Sequence, residues 1–251
     1  MTPVYMANFD YKKIDARKKS QKILGHFNSV ARKYDMMNTL LSFGIHHIWK
    51  RIAVGMLGLN SGERVLDVCG GTGDLSILAA GAVSAVGHVT LYDFSSAMIN
   101  AGRFKKNNLL IRKRIQYIQG DVQQISFQDE SFDAAMVGFG IRNVIDMKKG
   151  FKEMHRVLKP GGKMMCLEFS KPASPLFRLL YDYYSFYVIP FLGKAVAGSV
   201  QAYTHLPESI RTFPSPDELT DILKNIGFLH ITQKKLTNGI AVIHLAKKNQ
   251  T

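Results

Sequence analysis

The stretch Arg64-Val65-Leu66-Asp67-Val68-Cys69-Gly70-Gly71-Thr72-Gly73-Asp74-Leu75-Ser76 constrains the fold more than any other part of the chain. Val65 to Val68 read as a buried strand, the glycines as a tight turn, and Thr72 and Asp74 as the first turn of a helix. Glycines serve such a turn twice: they accept positive φ, and they let a ligand approach the backbone without meeting a Cβ. The N–H groups at a helix start lack intrahelical partners and suit an anionic group such as a carboxylate or phosphate. About 20 residues further on, Asp93 closes the next apolar strand, His88-Val89-Thr90-Leu91-Tyr92. That is the spacing at which a carboxylate reaches the ribose hydroxyls of a bound nucleotide.

A glycine turn alone also occurs in ordinary α/β cores, and for Gly70, Gly71 and Gly73 by themselves packing and binding explain the sequence equally well. The carboxylate after the second strand favours binding. The glycines do not follow the dinucleotide fingerprint G-x-G-x-x-G, because from Gly71 the third position holds Ser76. They resemble the D-x-G-x-G-x-G turn of Rossmann-like methyltransferases that bind S-adenosylmethionine, with Asp67 leading and Cys69 standing where the first glycine usually does.

A chain of 251 residues is long enough for one α/β domain with additions. Its 46% hydrophobic content and mean hydropathy of -0.03 suit a soluble globular protein. No apolar segment follows a basic start, so no secretory leader is expected. No apolar run reaches the length of a membrane span; the best, Phe186 to Val200, is cut by Pro190, Gly193, Lys194 and Gly198. Cys69 and Cys166 fall in strand and turn segments, so reduced packing thiols are expected rather than a disulfide or a nucleophile. The formal charge of +14 is compatible with nucleic acid, an anionic lipid surface or solubility alone, and does not choose among them.

Residues 1-19 read as a basic arm (Lys12, Lys13, Arg17, Lys18, Lys19) and residues 20-60 as a helical lid. A helix from about Ser20 to Lys33 puts Ile23, Phe27 and Val30 at helical spacing, a packing face in preference to a ligand wall. Tyr34 to Arg51 then mixes polar and aromatic side chains with apolar ones just ahead of the first strand. Residues 61-171 alternate strands and helices. The later members are strands Ile115 to Gln119 and Phe132 to Val137, a helix capped by Asp146 with Met147, Phe151, Met154 and Leu158 on one face, a stop at Lys159-Pro160-Gly161-Gly162, and strand Lys163 to Phe169. Helical returns imply a parallel sheet with ligands outside the carboxyl ends of its strands, where Asp67, Asp93, Asp121 and Gly138 all fall. Residues 172-216 are an insertion rich in aromatics: Tyr181, Tyr183, Tyr184, Phe186, Tyr187, Phe191, Tyr203 and Phe213. Residues 217-251 add a helix, opened by Ser215 and Asp217, and a hairpin of Phe228 to Lys234 and Ile240 to Ala246 turned at Thr237-Asn238-Gly239. The methyltransferase resemblance implies an α/β, Rossmann-like class I fold, with a mostly parallel seven-stranded sheet and one C-terminal antiparallel strand.

Further blocks narrow the resemblance. Tyr34-Asp35-Met36-Met37-Asn38 through Ser42, His46 and Trp49 is similar to one signature of the ubiquinone/menaquinone biosynthesis C-methyltransferase family, and Arg156-Val157-Leu158-Lys159-Pro160-Gly161-Gly162 through Glu168 and Ser170 to a second. Phe139 to Val144 and Glu208 to Pro214 also resemble it, so the likeness runs from about Phe27 to Ala246. Gly120-Asp121-Val122 departs from the Asn-Ala that relatives often carry, and Tyr203-Thr204-His205-Leu206-Pro207 from the usual lead into Glu208. The resemblance implies methyl transfer from S-adenosylmethionine to a ring carbon of a prenylated quinol. Demethylmenaquinol, giving menaquinol, comes first, and 2-polyprenyl-6-methoxy-1,4-benzoquinol of the ubiquinone pathway second. Asp93 is then expected on the ribose hydroxyls, with Asp67 leading the turn, and Gly71, Thr72 and Gly73 by the methionine part. Asp121 and Val122 are expected at the adenine, and Gly138 on the sulfonium side. No metal is expected. The aromatic insertion is expected to shield the prenyl tail and, with the basic arm, to dock reversibly on an anionic membrane, giving a cytoplasmic protein peripheral to the cytoplasmic membrane. A homodimer or a quinone-biosynthesis complex stays open.

A neutral ring carbon is a poor nucleophile, so a base or an anion-stabilising group should lie by the quinol. Arg142, after the fourth strand, stays protonated; it suits stabilising a phenolate or orienting a water, in preference to a structural ion pair. His46 is a base or a packing histidine, Tyr34 a lid over the cofactor or a packing residue, and Glu168 an active-site carboxylate or the partner of Arg142; the sequence leaves each pair open. A nucleic-acid methyltransferase is disfavoured because no Asn-Pro-Pro-Tyr motif and no cysteine after the fourth strand occur. An NAD(P)-dependent oxidoreductase would want the missing third glycine and a Tyr-x-x-x-Lys pair, and a non-catalytic scaffold would not need the intact lid signature.

Overall fold

Strands buried on both sides need helices on both sides. The computed structural model describes residues 16–31, 33–105, 109–172, 174, 181, 183–184 and 200–250. Its strands are β1 (Arg64–Val68), β2 (His88–Asp93), β3 (Ile115–Gln119), β4 (Phe132–Gly138), β5 (Leu158–Phe169), β6 (Phe228–Leu236) and β7 (Ala241–Lys248). They form one sheet in the order β3-β2-β1-β4-β5-β7-β6. β1 to β5 pair in parallel, and β7 runs antiparallel to both β5 and β6, which is the expected sheet. Val65, Ala134, Met136, Met165 and Leu167 pack on one side with Trp49, Ala53 and Leu57 of α3 (Ile45–Leu57) and Leu75, Ala79 and Ala80 of α4 (Asp74–Ala82). Leu66, Val68, Val137 and Cys166 pack on the other with Phe151, Met154 and Val157 of α7 (Met147–Val157) and Leu219 and Leu223 of α9 (Pro216–Ile226).

Local chemistry sets the helix ends. The Asp146 side chain accepts the Lys149 N–H ahead of α7. Ser215 and Glu218 form a reciprocal capping box at α9 with Pro216 in its first turn, and Gly227 closes that helix at φ +112°. Two expectations differ from what the structure shows. Leu158 is the first residue of β5, not the last on the α7 face, and Lys159-Pro160-Gly161-Gly162 is no helix stop but a loop-out inside β5. Phe132 pairs with Leu158 and Ala134 with Lys163, so four residues bulge opposite one, with Gly161 turning at φ +73°. Within the insertion, α8 (Val200–Thr212) is a helix despite Pro207 inside it. Phe213 is buried in the core beneath the sheet with Leu219 and Phe228, not among ligand-facing aromatics.

Ahead of the sheet stand α1 (Ala16–Val30) and α2 (Tyr34–Leu41); α5 (Ser96–Arg103) and the single turn α6 (Leu109–Arg112) lie between β2 and β3. Most of the basic arm, and Phe186, Tyr187 and Phe191, lie outside the described residues. Among those described, no helix is long and apolar enough to cross a membrane.

Candidate active site

The carboxyl ends of β1, β2 and β4 open into one cavity of about 860 Å³, near the upper end of the usual range for small-molecule sites. Asp67, Gly71, Thr72, Asp93, Asp121, Val122 and Gly138 line it, as do Tyr34, His46 and Arg142. Gly73 does not line it: at φ +83° it is the residue on which α4 starts. The turn is tightly wound, since Cys69 (φ +53°) and Gly71 (φ +56°) are also left-handed. For the cysteine this costs on the order of 1 kcal/mol. Asp93 clamps the turn from the end of β2, its Oδ2 accepting the Gly71 N–H and its Oδ1 the Ser95 N–H, each at 2.8 Å. Burial pushes the Asp93 carboxyl up and the two amides hold it back. Asp121 caps the turn after β3, accepting the Gln123 N–H at 2.9 Å.

Asp67 is fully buried at the foot of this turn. Its Oδ2 accepts the Ser76 hydroxyl at 2.6 Å, while its Oδ1 has no hydrogen-bond partner. Burial pushes its carboxyl up to about 7, against the Ser76 bond and with help from the Asp93 charge.

Side chains of α2 and α3, with Lys105, converge on the same turn. Asp35 Oδ1 accepts the Thr72 hydroxyl at 2.6 Å, and Lys105 pairs with Asp35 at 2.8 Å. Asp74 holds Lys50 on one oxygen at 2.7 Å and Lys105 on the other. Burial opposes ionisation of Asp74, but these two lysines together hold its carboxyl well below the usual range. Lys50 and Lys105 were not singled out from sequence, because each reaches the turn through space: Lys50 stands just after the last signature residue, Trp49, and Lys105 in a segment with no motif of its own. Other signature residues fix α2 and α3: Trp49 Nε1 donates to Thr237 Oγ1 at 3.0 Å, and the Ser42 hydroxyl to the Asn38 carbonyl at 2.7 Å. His46 is buried and lies 3.3 Å from the Thr39 hydroxyl. Burial, with the Lys50 and His47 charges, lowers its imidazolium to about 4. Donor atoms of His46, His47 and Asp74 lie within 4.8 Å of one another, but both Asp74 oxygens already carry a lysine, which meets the charge a cation would bring.

Arg142 and Glu168 settle each other's place. Their 2.6 Å ion pair is closed to solvent, with side chains 7% and 2% exposed. Arg142 also contacts the Ser209 hydroxyl at 3.3 Å and the Phe139 carbonyl, and its guanidinium lies 5.2 Å from the centre of the Phe169 ring. Arg142 lines the cavity and Glu168 does not, so Glu168 is the partner of the arginine. Burial raises the Glu168 carboxyl, and the arginine opposes this. One part of the wall is apolar: Ile23, Phe27 and Val30 from α1, with Leu41, Tyr184 and Leu206. The α1 stripe, read from sequence as a packing face, is therefore also a wall of the site.

A seven-stranded sheet with a reversed seventh strand, a glycine turn after β1 and a carboxylate closing β2 is the class I methyltransferase fold. The chain belongs to the ubiE/COQ5 methyltransferase family, whose sequence profile matches residues 15–248. It is 42% identical over 243 residues to the ubiquinone/menaquinone biosynthesis C-methyltransferase UbiE of Pseudoalteromonas translucida, covering 97% of each chain. Against UbiE of Haemophilus ducreyi it is 42% identical over 241 residues, 96% of this chain and 93% of the other. Solved structures agree on the fold alone. The possible histamine N-methyltransferase of Thermotoga maritima superposes with a TM-score of 0.62 at 19% identity, over 90% of this chain and 99% of that one. The [4+2]-cyclase SpnF gives 0.68 at 16% identity, over 92% and 97%, so this fold does not by itself fix the chemistry.

Proposed function

We propose that the chain transfers a methyl group from S-adenosylmethionine to a ring carbon of a prenylated quinol, demethylmenaquinol in the first instance. The observation that carries this reading is one cavity joining a carboxylate-and-glycine rim, a wall of apolar side chains and a guanidinium. The relatives' names span both quinone pathways, which supports 2-polyprenyl-6-methoxy-1,4-benzoquinol as the second substrate.

The residues fit a cationic nucleoside donor, because Asp67 offers a buried oxygen without a partner and Asp93 stands at the strand end suited to ribose hydroxyls. When bound, S-adenosylmethionine supplies a methyl already activated by its sulfonium charge. Asp93 holds the ribose hydroxyls, Gly71 and Thr72 the methionine part, and Asp121 and Val122 the adenine. Gly138 stands on the sulfonium side, and close packing of Leu75 against it leaves no room for a Cβ. Gly73 contributes by shaping the turn. Arg142 stays charged and, steadied by Glu168, stabilises the quinolate oxygen, whose charge passes into the ring and makes its carbon nucleophilic. His46, at about 4, is too weak to hold a phenolic proton whose ordinary pKa is near 10. It positions the lid through Thr39, and the phenolic proton leaves to water. As the ring carbon takes the methyl, the sulfonium–methyl bond would break to leave a neutral thioether, and the hydrogen displaced from that carbon would be lost as a proton while the quinol O–H re-forms. Burial raises the Tyr34 hydroxyl, so Tyr34 stays protonated over the site as a donor.

Asp67 gives this reading a pH signature. Below about 7 it carries a proton in the free protein, and a cation beside Oδ1 favours the ionised form. Donor binding therefore expels a proton, and affinity falls as the pH drops below that value. Calorimetry at about pH 6 in buffers of different ionisation enthalpy should show proton release that Asp67→Asn abolishes. An unchanged heat across buffers would remove Asp67 from the donor site. Substrate choice is tested by kcat/KM for short-tailed demethylmenaquinol and the methoxy-benzoquinol. Turnover of the first by at least about tenfold over the second is expected, about 1.4 kcal/mol in barrier. A reversed ratio would exchange first and second substrate, and turnover of neither would end the proposal.

A further inference from the structure

Arg142 leaves one of its nitrogens uncommitted. Its Nε donates to the Ser209 hydroxyl and its Nη1 to Glu168 and the Phe139 carbonyl, while Nη2 has no hydrogen bond among the described residues. A guanidinium nearly closed to solvent with a donor unspent on a cavity wall can take an oxygen from a ligand.

The wall beside that donor is aromatic. Phe169, the last residue of β5, has its ring centre 5.2 Å from the guanidinium carbon. The Phe139 ring lies 4.4 Å from Phe169 at a 37° tilt, and the Trp49 indole stands 6.2 Å from each, edge-on to Phe169. All three rings border the cavity, and Phe169 is only half-buried. Their places are fixed: the Phe139 N–H donates to the Leu167 carbonyl at 2.8 Å, and Trp49 is tied to Thr237. Phe139 is left-handed at φ +56°, a conformation that residues other than glycine rarely adopt. Strain of this kind gathers at ligand sites.

The sheet order says which ligand this wall receives. In the reading above, adenine lies by Asp121 and Val122 after β3, and β3 stands four strand spacings from β5, roughly 19 Å. Phe139 instead follows directly on Gly138, on the sulfonium side, so the rings adjoin the methyl to be transferred. Aromatic faces receive a further ring by offset or edge-to-face packing. Demethylmenaquinol has a two-ring nucleus and the methoxy-benzoquinol a one-ring nucleus, and the larger one removes more apolar area from water against the same wall.

We propose that Phe169, Phe139 and Trp49 form the seat of the quinol nucleus, with a quinol oxygen on Arg142 Nη2, and that this seat selects two rings over one. The seat rests on the prenylated-quinol reading above and supplies the residues that choose between its two substrates.

Trp49 is the only tryptophan of the chain, so quenching of its emission reports occupation of the seat. The probes are 2,3-dimethyl-1,4-naphthoquinone and tetramethyl-1,4-benzoquinone, which have no open position on the quinone ring, added to the full chain with S-adenosylhomocysteine bound. Both should quench saturably, the two-ring probe with about tenfold tighter affinity. Phe169→Leu keeps apolar bulk without the ring; it should weaken the two-ring probe by about threefold to tenfold and the one-ring probe less. S-adenosylhomocysteine affinity should be unchanged, and Phe169→Tyr should restore the preference. In turnover, KM for short-tailed demethylmenaquinol should rise more than KM for the methoxy-benzoquinol, whereas mere loosening of Arg142 would lower kcat for both alike. If Phe169→Leu does not fold, the parent's ratio decides alone. Equal affinity of the parent for both probes, equal losses in Phe169→Leu, unchanged two-ring affinity in that variant, or no saturable quenching would overturn the seat. A parent that binds the two-ring probe with quenching yet never methylates the short-tailed quinol would overturn the proposed activity and leave the seat standing.

Discussion

Glu168→Ala should cost the protein about 3–5 kcal/mol of stability and most of its turnover. The arginine it faces is only 7% exposed against 2% for the glutamate, and removing the carboxylate leaves a largely buried guanidinium with one hydroxyl and one carbonyl as its remaining polar partners. Such a charge relaxes by pulling Arg142 out of position or by admitting water, and either moves it away from the quinolate oxygen. Urea unfolding and turnover should therefore fall together. Glu168→Gln keeps an acceptor oxygen and the side chain's volume, so it should lose less of both. A Glu168→Ala protein as stable as the parent would show that water already reaches the pair.

Asp93→Ala should weaken S-adenosylmethionine binding by about tenfold or more, because charge-assisted hydrogen bonds to the ribose would go. The same carboxylate also takes the N–H groups of Gly71 and Ser95, so the glycine turn would lose its clamp at the same time. Calorimetry separates the two losses. Asp93→Asn retains one acceptor for the turn but not the charge, and should bind the donor with an affinity between parent and alanine variant. Donor affinity unchanged in both variants would remove Asp93 from the site.

The sheet was legible because its signals are local: apolar strands, glycines where φ must be positive, and caps such as Asp146 and Ser215 that satisfy helix N–H groups a few residues away. Asp67 and Asp93 were legible for a related reason, since a strand end in a parallel sheet has a known neighbour. The β5 bulge was misread because Pro160 and two glycines make the same pattern whether they end a helix or loop out of a strand already begun at Leu158. The α1 stripe was read in part: Val30 does pack with Met37, but Ile23, Phe27 and Val30 look alike in sequence whether they face a core or a cavity, and they also line the site. The ion pairs of Lys50 and Lys105 had no sequence signal at all, and the choice between two roles for Glu168 needed the 2.6 Å distance to Arg142.

Carbon methylation of a quinol is measured most directly by incubating the purified chain with short-tailed demethylmenaquinol and trideuteromethyl-labelled S-adenosylmethionine, then locating the label by NMR. The label should sit on the ring carbon, and should be lost with Arg142→Met while the donor still binds. Label on a phenolic oxygen, or none on the quinol although both ligands bind, would contradict a site built to drive charge from oxygen into the ring.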